Sequence, residues 1–129
     1  MSAPDLDVVI VSGDIADDGS VAGCEAVRDR VGPFAADHGT PHVYSTGNHD
    51  DRESFREVLG TGHLGPDGTD RGELLDPEAN LCAAVSHVQG LRIITLDSLI
   101  PGETHGVITE GQLAGLGTRW PPRHRTEPF

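Results

Sequence analysis

Two short stretches carry the residue types that could do chemistry. The first is Ser12-Gly13-Asp14-Ile15-Ala16-Asp17, and the second is Gly47-Asn48-His49-Asp50. Asp14 offers two carboxylate oxygens and could bridge a pair of cations. Asn48 offers a neutral carbonyl oxygen, which suits a hard or borderline cation. His49 stands beside it and could donate a proton to a leaving oxygen. Asp17 and Asp50 could orient these groups through hydrogen bonds. A glycine before each polar group lets the chain turn sharply and lets a ligand approach the backbone.

These stretches lie about 34 positions apart, so they meet only if the elements before them run side by side. Residues 7–11, Asp-Val-Val-Ile-Val, form an apolar run without alternation. That pattern predicts a strand buried on both faces of a parallel sheet. Ser20 is a candidate N-cap, and Val21, Cys24, Val27 and Val31 recur at helical spacing. Gly32-Pro33 should break or kink that helix, and Gly39 should end the segment beyond the break. A second strand is expected over His42–Thr46. Strand, helix and strand then make a crossover unit. A right-handed crossover places both strand ends on one edge, where ligands of open α/β sheets bind.

Further along, Asp50 or Asp51 could cap a short helix carrying Phe55, Val58 and Leu59. Residues 60–80 are rich in Gly, Asp and Pro and read as one long loop, of a length that is usually functional or mobile. Residues 81–88 and 91–97 flank Gln89-Gly90 as a hairpin would. Pro101-Gly102 turns the chain, and a last helix is expected to start at Glu110–Leu116. After Gly117 the periodicity stops. The expected domains are therefore an α/β domain over 1–117 and an irregular basic tail over 118–129.

Composition narrows the function classes. The 129-residue chain has a net charge of −12 and 17 glycines. Its length suits one domain. Its acidity disfavours general nucleic-acid binding, because a phosphate backbone would be repelled. No transmembrane segment and no signal peptide are apparent, which makes the cytoplasm the expected location. Cys24 and Cys82 form no CxxC pair and should pack as small hydrophobes. His38, His42 and His87 read as surface or packed residues, and His63 lies in the Gly-rich loop. All nine basic residues are Arg, three of them among the last 11 residues. The sequence carries no signal for oligomeric state.

A calcium loop starting at Asp14 is a rival reading, with Asp18, Gly19 and Glu25 at the fifth, sixth and twelfth positions. Ala16 supplies no ligand at the third position, and the preceding Val8-Val9-Ile10-Val11 is strand-like, so this reading is disfavoured.

Gly13-Asp14-Ile15-Ala16-Asp17 resembles the GDxxD motif of the calcineurin-like metallophosphoesterases, and Gly47-Asn48-His49-Asp50 resembles their GNH[DE] motif. Asn48 to Arg52, Leu96-Asp97-Ser98, and Pro101-Gly102 with His105-Gly106 resemble the class III cyclic-nucleotide phosphodiesterases of that superfamily. The likeness covers roughly residues 5–116. It implies an α/β sandwich with a mostly parallel sheet, flanking helices and a β-hairpin. It also implies metal-dependent hydrolysis of small phosphodiesters, 3',5'-cyclic nucleotides among them, by two divalent ions such as Mn, Fe or Zn. By the same resemblance Asp14 would bridge the metals, Asn48 would bind one, and His49 would act on the leaving oxygen. Asp17 and Asp50 would support them, and His105 would lie on the substrate side.

The resemblance is incomplete. The family's Asp-x-His motif is absent, since Asp37-His38 lacks the spacer, and no Gly-His-x-His turn follows Gly117. The expectation is a domain incomplete at both ends, with pattern and charge changing near Arg119-Trp120 as a frameshift would change them. The alternative function is a catalytically inactive remnant that binds metal or nucleotide weakly. The absent first strand should also leave Val8, Ile10 and the hairpin without a sheet neighbour.

Overall fold

A computed structural model of the chain describes residues 5–119. Strand β1 (Val9–Ser12), helix α1 (Val21–Asp37) and strand β2 (His42–Ser45) form the expected crossover unit. β1 and β2 pair in parallel with Ser12 opposite Ser45, so both strands end at one level. The Ser20 hydroxyl caps α1 by accepting the Gly23 N–H. Helix α1 runs through Gly32-Pro33 instead of breaking there. Pro33 cannot donate to the Asp29 carbonyl, but both residues are exposed, so water can satisfy that group.

Asp51, not Asp50, caps helix α2 (Arg52–Leu59) by accepting from Ser54 N–H. Phe55 and Leu59 of α2 are buried. They join Ile15, Ala16, Cys24, Tyr44, Leu64 and Cys82 in the core, with Val27, Val31 and Val58 packed against it. Both cysteines are buried free thiols, as expected.

The expected mostly parallel sheet is not what forms. Strand β3 (His63–Leu64) pairs antiparallel with β2, completing a three-stranded sheet β1-β2-β3. A second, wholly antiparallel sheet holds β4 (Glu73–Leu74), β5 (Ala84–Val88) and β6 (Leu91–Thr95). Among the described residues β1–β2 is thus the one parallel strand pair. The reason is local. Gly60 and Gly62 take positive φ and reverse the chain after α2. Gln89-Gly90, with φ of 51° and 79°, joins β5 to β6 by a two-residue turn that only an antiparallel pair accepts. The predicted hairpin is therefore present.

β1 is not buried on both faces, and Ile10 is 58% exposed. The strand stands at the sheet edge, so its apolar character finds a cover on one face only. That is the outcome expected for Ile10 without an outer neighbour. Leu91 on the edge strand β6 is likewise 56% exposed.

Residues 60–80 are not one open loop. They contain β3 and β4, and Asp70 pins them by accepting from Thr61 N–H, the Thr61 hydroxyl and Gly72 N–H. His63 is buried and joins the two sheets: Nδ1 meets the Ser86 hydroxyl and Nε2 the Thr95 hydroxyl. His42 is also buried, whereas His87 is exposed.

Helix α3 (Glu110–Arg119) continues past the expected stop at Gly117. The Thr118 hydroxyl donates to the Gly115 carbonyl, and Arg119 pairs with Glu73 at 2.6 Å. The proposed boundary at 117 therefore falls inside a helix. Trp120, Arg123, His124 and Arg125 of the basic tail lie outside the described residues. Among the described residues no helix is long and apolar enough to cross a membrane.

Candidate functional site

The aligned ends of β1 and β2 bring the two polar stretches together. Gly13 N–H donates to the Ser45 carbonyl at 3.1 Å, carrying the strand pairing one residue into the loops. Gly13 then takes φ of 79° and Asp14 φ of 50°, so the chain leaves the sheet in a left-handed turn. Asp tolerates that conformation better than most side chains do. The Asp14 carboxylate accepts the His49 backbone N–H at 3.0 Å. Gly47 makes this approach possible: a Cβ there would collide with the backbone nitrogen and carboxylate of Asp14.

Asp50 fastens the arrangement from below. Its buried carboxylate accepts from Ile15 N–H at 3.0 Å, Ala16 N–H at 2.8 Å and Gly47 N–H at 2.7 Å. One side chain thus satisfies three backbone donors from both loops. It holds backbone, where the sequence suggested that it would orient a neighbouring side chain.

His49 is exposed, and its Nδ1–H donates to the Asp17 carbonyl at 2.9 Å, with the Asp17 carboxylate at 3.2 Å. This fixes the tautomer and leaves Nε2 without a hydrogen-bond partner among the described residues. The bond to the Asp17 carbonyl and then the negative charge of Asp14 raise the His49 pKa above the ordinary imidazole value. Asp17 itself is exposed and stands next to His49.

Asn48 is exposed and lines a pocket of about 200 Å³ together with Ser98, Leu99, Thr104, His105 and Gly106. His105 thus shares a pocket with Asn48 although 57 positions separate them (105 − 48). Its loop is closed by a hydrogen bond from Val107 N–H to the Ser98 carbonyl at 2.9 Å.

The ligand chemistry is less complete. Among the described residues no three His, Cys, Asp or Glu side chains gather in a way that could hold a metal ion. Asp14 and Asn48 offer two donors, and catalytic metals are held by three or more protein groups. These residues alone do not fit a two-metal centre. The calcium-loop reading also fails here, because Asp18 spends a carboxylate oxygen on Ser20 N–H and a strand, not a helix, precedes the loop.

One group of residues went unassigned in the sequence. The Asp97 carboxylate, 1% exposed, accepts from Arg52 Nε at 2.8 Å, Arg52 Nη2 at 3.1 Å and the Thr46 hydroxyl at 3.0 Å. It also accepts from Cys82 N–H at 2.7 Å and Leu99 N–H at 3.1 Å. Burial alone would raise the Asp97 pKa, but the Arg52 guanidinium and the backbone donors outweigh it and hold the carboxyl below its ordinary value. The buried Gln112 amide completes the cluster, bonding both the N–H and the carbonyl of Asp97 at 2.7 Å. An acid closing the apolar run Leu91–Leu96 was the available signal, because a charge placed there needs a partner.

No protein-family model matches the sequence. Over 110 residues, 85% of its length, the chain is 37% identical to a cAMP/cGMP dual specificity phosphodiesterase of Mycobacterium tuberculosis, of which it covers 30%. Over the same share it is 38% identical to a probable cyclic nucleotide phosphodiesterase of Rhodococcus erythropolis, covering 32% of that protein. The chain is similar to cyclic nucleotide phosphodiesterases. A 3',5'-cyclic adenosine monophosphate phosphodiesterase of Pseudomonas aeruginosa is 29% identical over 110 residues, with 33% of it covered. The chain thus spans about a third of the length of these curated relatives. The likeness to phosphodiesterases of this substrate class agrees with the motif resemblance.

Proposed function

We propose that the chain forms one edge of the active site of a phosphodiesterase acting on small phosphodiesters, with 3',5'-cyclic nucleotides the favoured substrates. The observation that carries this reading is the hydrogen bond joining Asp14 to His49 across the ends of two parallel strands. The bond comes from the His49 backbone N–H, and both residues are exposed, so a substrate can reach the carboxylate and the ring. As the imidazolium, the form its raised pKa favours, His49 is assigned to donate a proton from Nε2 to the leaving oxygen, with Asp17 holding the ring through Nδ1. Asn48 and His105 are assigned to the substrate pocket they share. Asp14 and Asn48 are two of the ligands that a pair of Mn, Fe or Zn ions would need. Such ions would neutralise charge on the phosphoryl oxygens, and groups beyond these two residues must complete their coordination.

Joined to the remainder of a homologous phosphodiesterase and supplied with Mn²⁺, the chain should cleave a chromogenic phosphodiester. His49→Ala is expected to lower the rate by about 10²–10⁴-fold, the usual share of a general acid. Turnover that is unchanged in His49→Ala would remove the assignment.

A second reading, weak binding of metal or nucleotide without turnover, is favoured by the two-donor set at Asp14 and Asn48. Metal content after dialysis separates the two. Two tightly held ions would refute weak binding, and none retained would support it.

A further inference from the structure

We propose that Asp97 is a positioning residue that sets the spacing between the two walls of the Asn48–His105 pocket. The inference rests on reading that pocket as the substrate side of a phosphodiesterase site. One wall is the turn after β2, which carries Asn48. The other is the segment after β6, which supplies Ser98, Leu99, Thr104, His105 and Gly106. Neither wall belongs to a regular element where it meets the pocket.

The Asp97 carboxylate touches both walls. On the Asn48 side it accepts from Thr46, two residues before Asn48, and from Arg52, four residues after it. On the His105 side it accepts the Leu99 N–H, and Arg52 Nη2 also reaches the Leu99 carbonyl. Cys82 N–H holds the same carboxylate against the second sheet. A carboxylate is an acceptor at both oxygens, so it alone can take all five donors. Its pairing with Arg52 is buried and bidentate, which fixes geometry more firmly than a single contact would. Gln112 pins the Asp97 backbone through its N–H and carbonyl, so the node itself cannot swing. The His105 loop is in turn tied to Ser98, the next residue, through Val107. The walls are therefore joined by one buried carboxylate and by the Arg52 guanidinium that it holds. Asp97 does not line the pocket.

Nuclear magnetic resonance of the chain, titrated with 3',5'-cyclic AMP in the presence of Zn²⁺, tests this. Wild type should show shifts of the Asn48 side-chain amide and the His105 ring on titration. Asp97→Asn turns an acceptor into a donor beside Arg52. It should displace resonances on both walls, residues 46–52 and 98–106, and weaken cyclic AMP about tenfold or more. Val85→Ala, a core truncation in β5 away from both walls, should lower stability and leave the affinity unchanged. If Asp97→Asn does not fold, Thr46→Val decides, since it removes one neutral donor and keeps the ion pair. It should move Asn48 and His105 together. Shifts confined to one wall, or an affinity lost equally in Val85→Ala, would overturn the proposal. If wild type does not respond to cyclic AMP, the phosphodiesterase reading fails. The spacing role then stands or falls on whether the substitution moves both walls.

Discussion

Asp50→Ala is expected to destabilise the chain by about 3 kcal/mol or more, because buried donors left without an acceptor cost about 1–3 kcal/mol each. Three N–H groups, of Ile15, Ala16 and Gly47, depend on that carboxylate. Asp51→Ala is the internal control. It removes a neighbouring carboxylate of the same charge, but one that caps α2 at the surface, and a lost N-cap costs about 1 kcal/mol. Asp50→Asn should recover part of the loss, since the amide oxygen can still accept from Ile15 and Gly47 N–H while its nitrogen meets the Ala16 N–H, itself a donor. Urea unfolding measures all three variants. Equal losses for Asp50→Ala and Asp51→Ala would show that the two loops are not held together by Asp50.

The second large effect is a loss of stability in mild acid. Burial lowers the His63 pKa from the ordinary 6.5 to about 4, with the charge of Asp70 opposing the shift. The Thr95 hydroxyl donates weakly to the Ala84 carbonyl, so it accepts from Nε2–H, and Nδ1 accepts from Ser86. This neutral tautomer fits the site and the imidazolium does not. Between pH 6.5 and about 4 the unfolded chain binds a proton that the folded chain refuses, so stability falls as pH falls through that window. The loss reaches at most about 3 kcal/mol and levels off below the folded pKa. His63→Gln is neutral throughout and should lack this component, although the carboxylates still titrate in both proteins. Parallel stability curves for wild type and His63→Gln between about pH 7 and pH 4 would contradict the assignment. Because His63 bridges β3 to β5 and β6, acid should loosen the contact between the two sheets first.

The site was more legible in the sequence than the fold around it. The β1–α1–β2 unit arises from its local pattern, and its strand ends place Asp14 and His49 together as that pattern requires. The Gln89-Gly90 turn was equally plain, since two strand-like runs flank a pair that contains glycine. Sheet composition was not legible. Strands of two residues, such as β3 and β4, are too short to show a period, and they are what turns the fold antiparallel. The run Val8-Val9-Ile10-Val11 looks the same at a sheet's centre and its edge, so the exposure of Ile10 was legible only through the expected lack of an outer strand. The end of α3 was misplaced because Gly117 signals a stop, while Arg119 gains a partner in Glu73, 46 positions away, that no sequence window contains. Asp97, Arg52 and Gln112 were missed for the same reason. Apart from the Leu99 N–H, the partners of Asp97 lie 15 to 51 positions away, so the network exists only once the chain has folded.

The most direct test puts this segment into a complete homologous frame. The 110 matched residues of the Mycobacterium tuberculosis phosphodiesterase are replaced by those of this chain. The chimera is assayed with 3',5'-cyclic AMP. It should hydrolyse the cyclic nucleotide, and His49→Ala within the transplanted segment should lower the rate by about 10²–10⁴-fold. A folded, metal-loaded chimera without hydrolysis, or one indifferent to His49→Ala, would contradict the assignment of Asp14, Asn48 and His49 to a phosphodiesterase site.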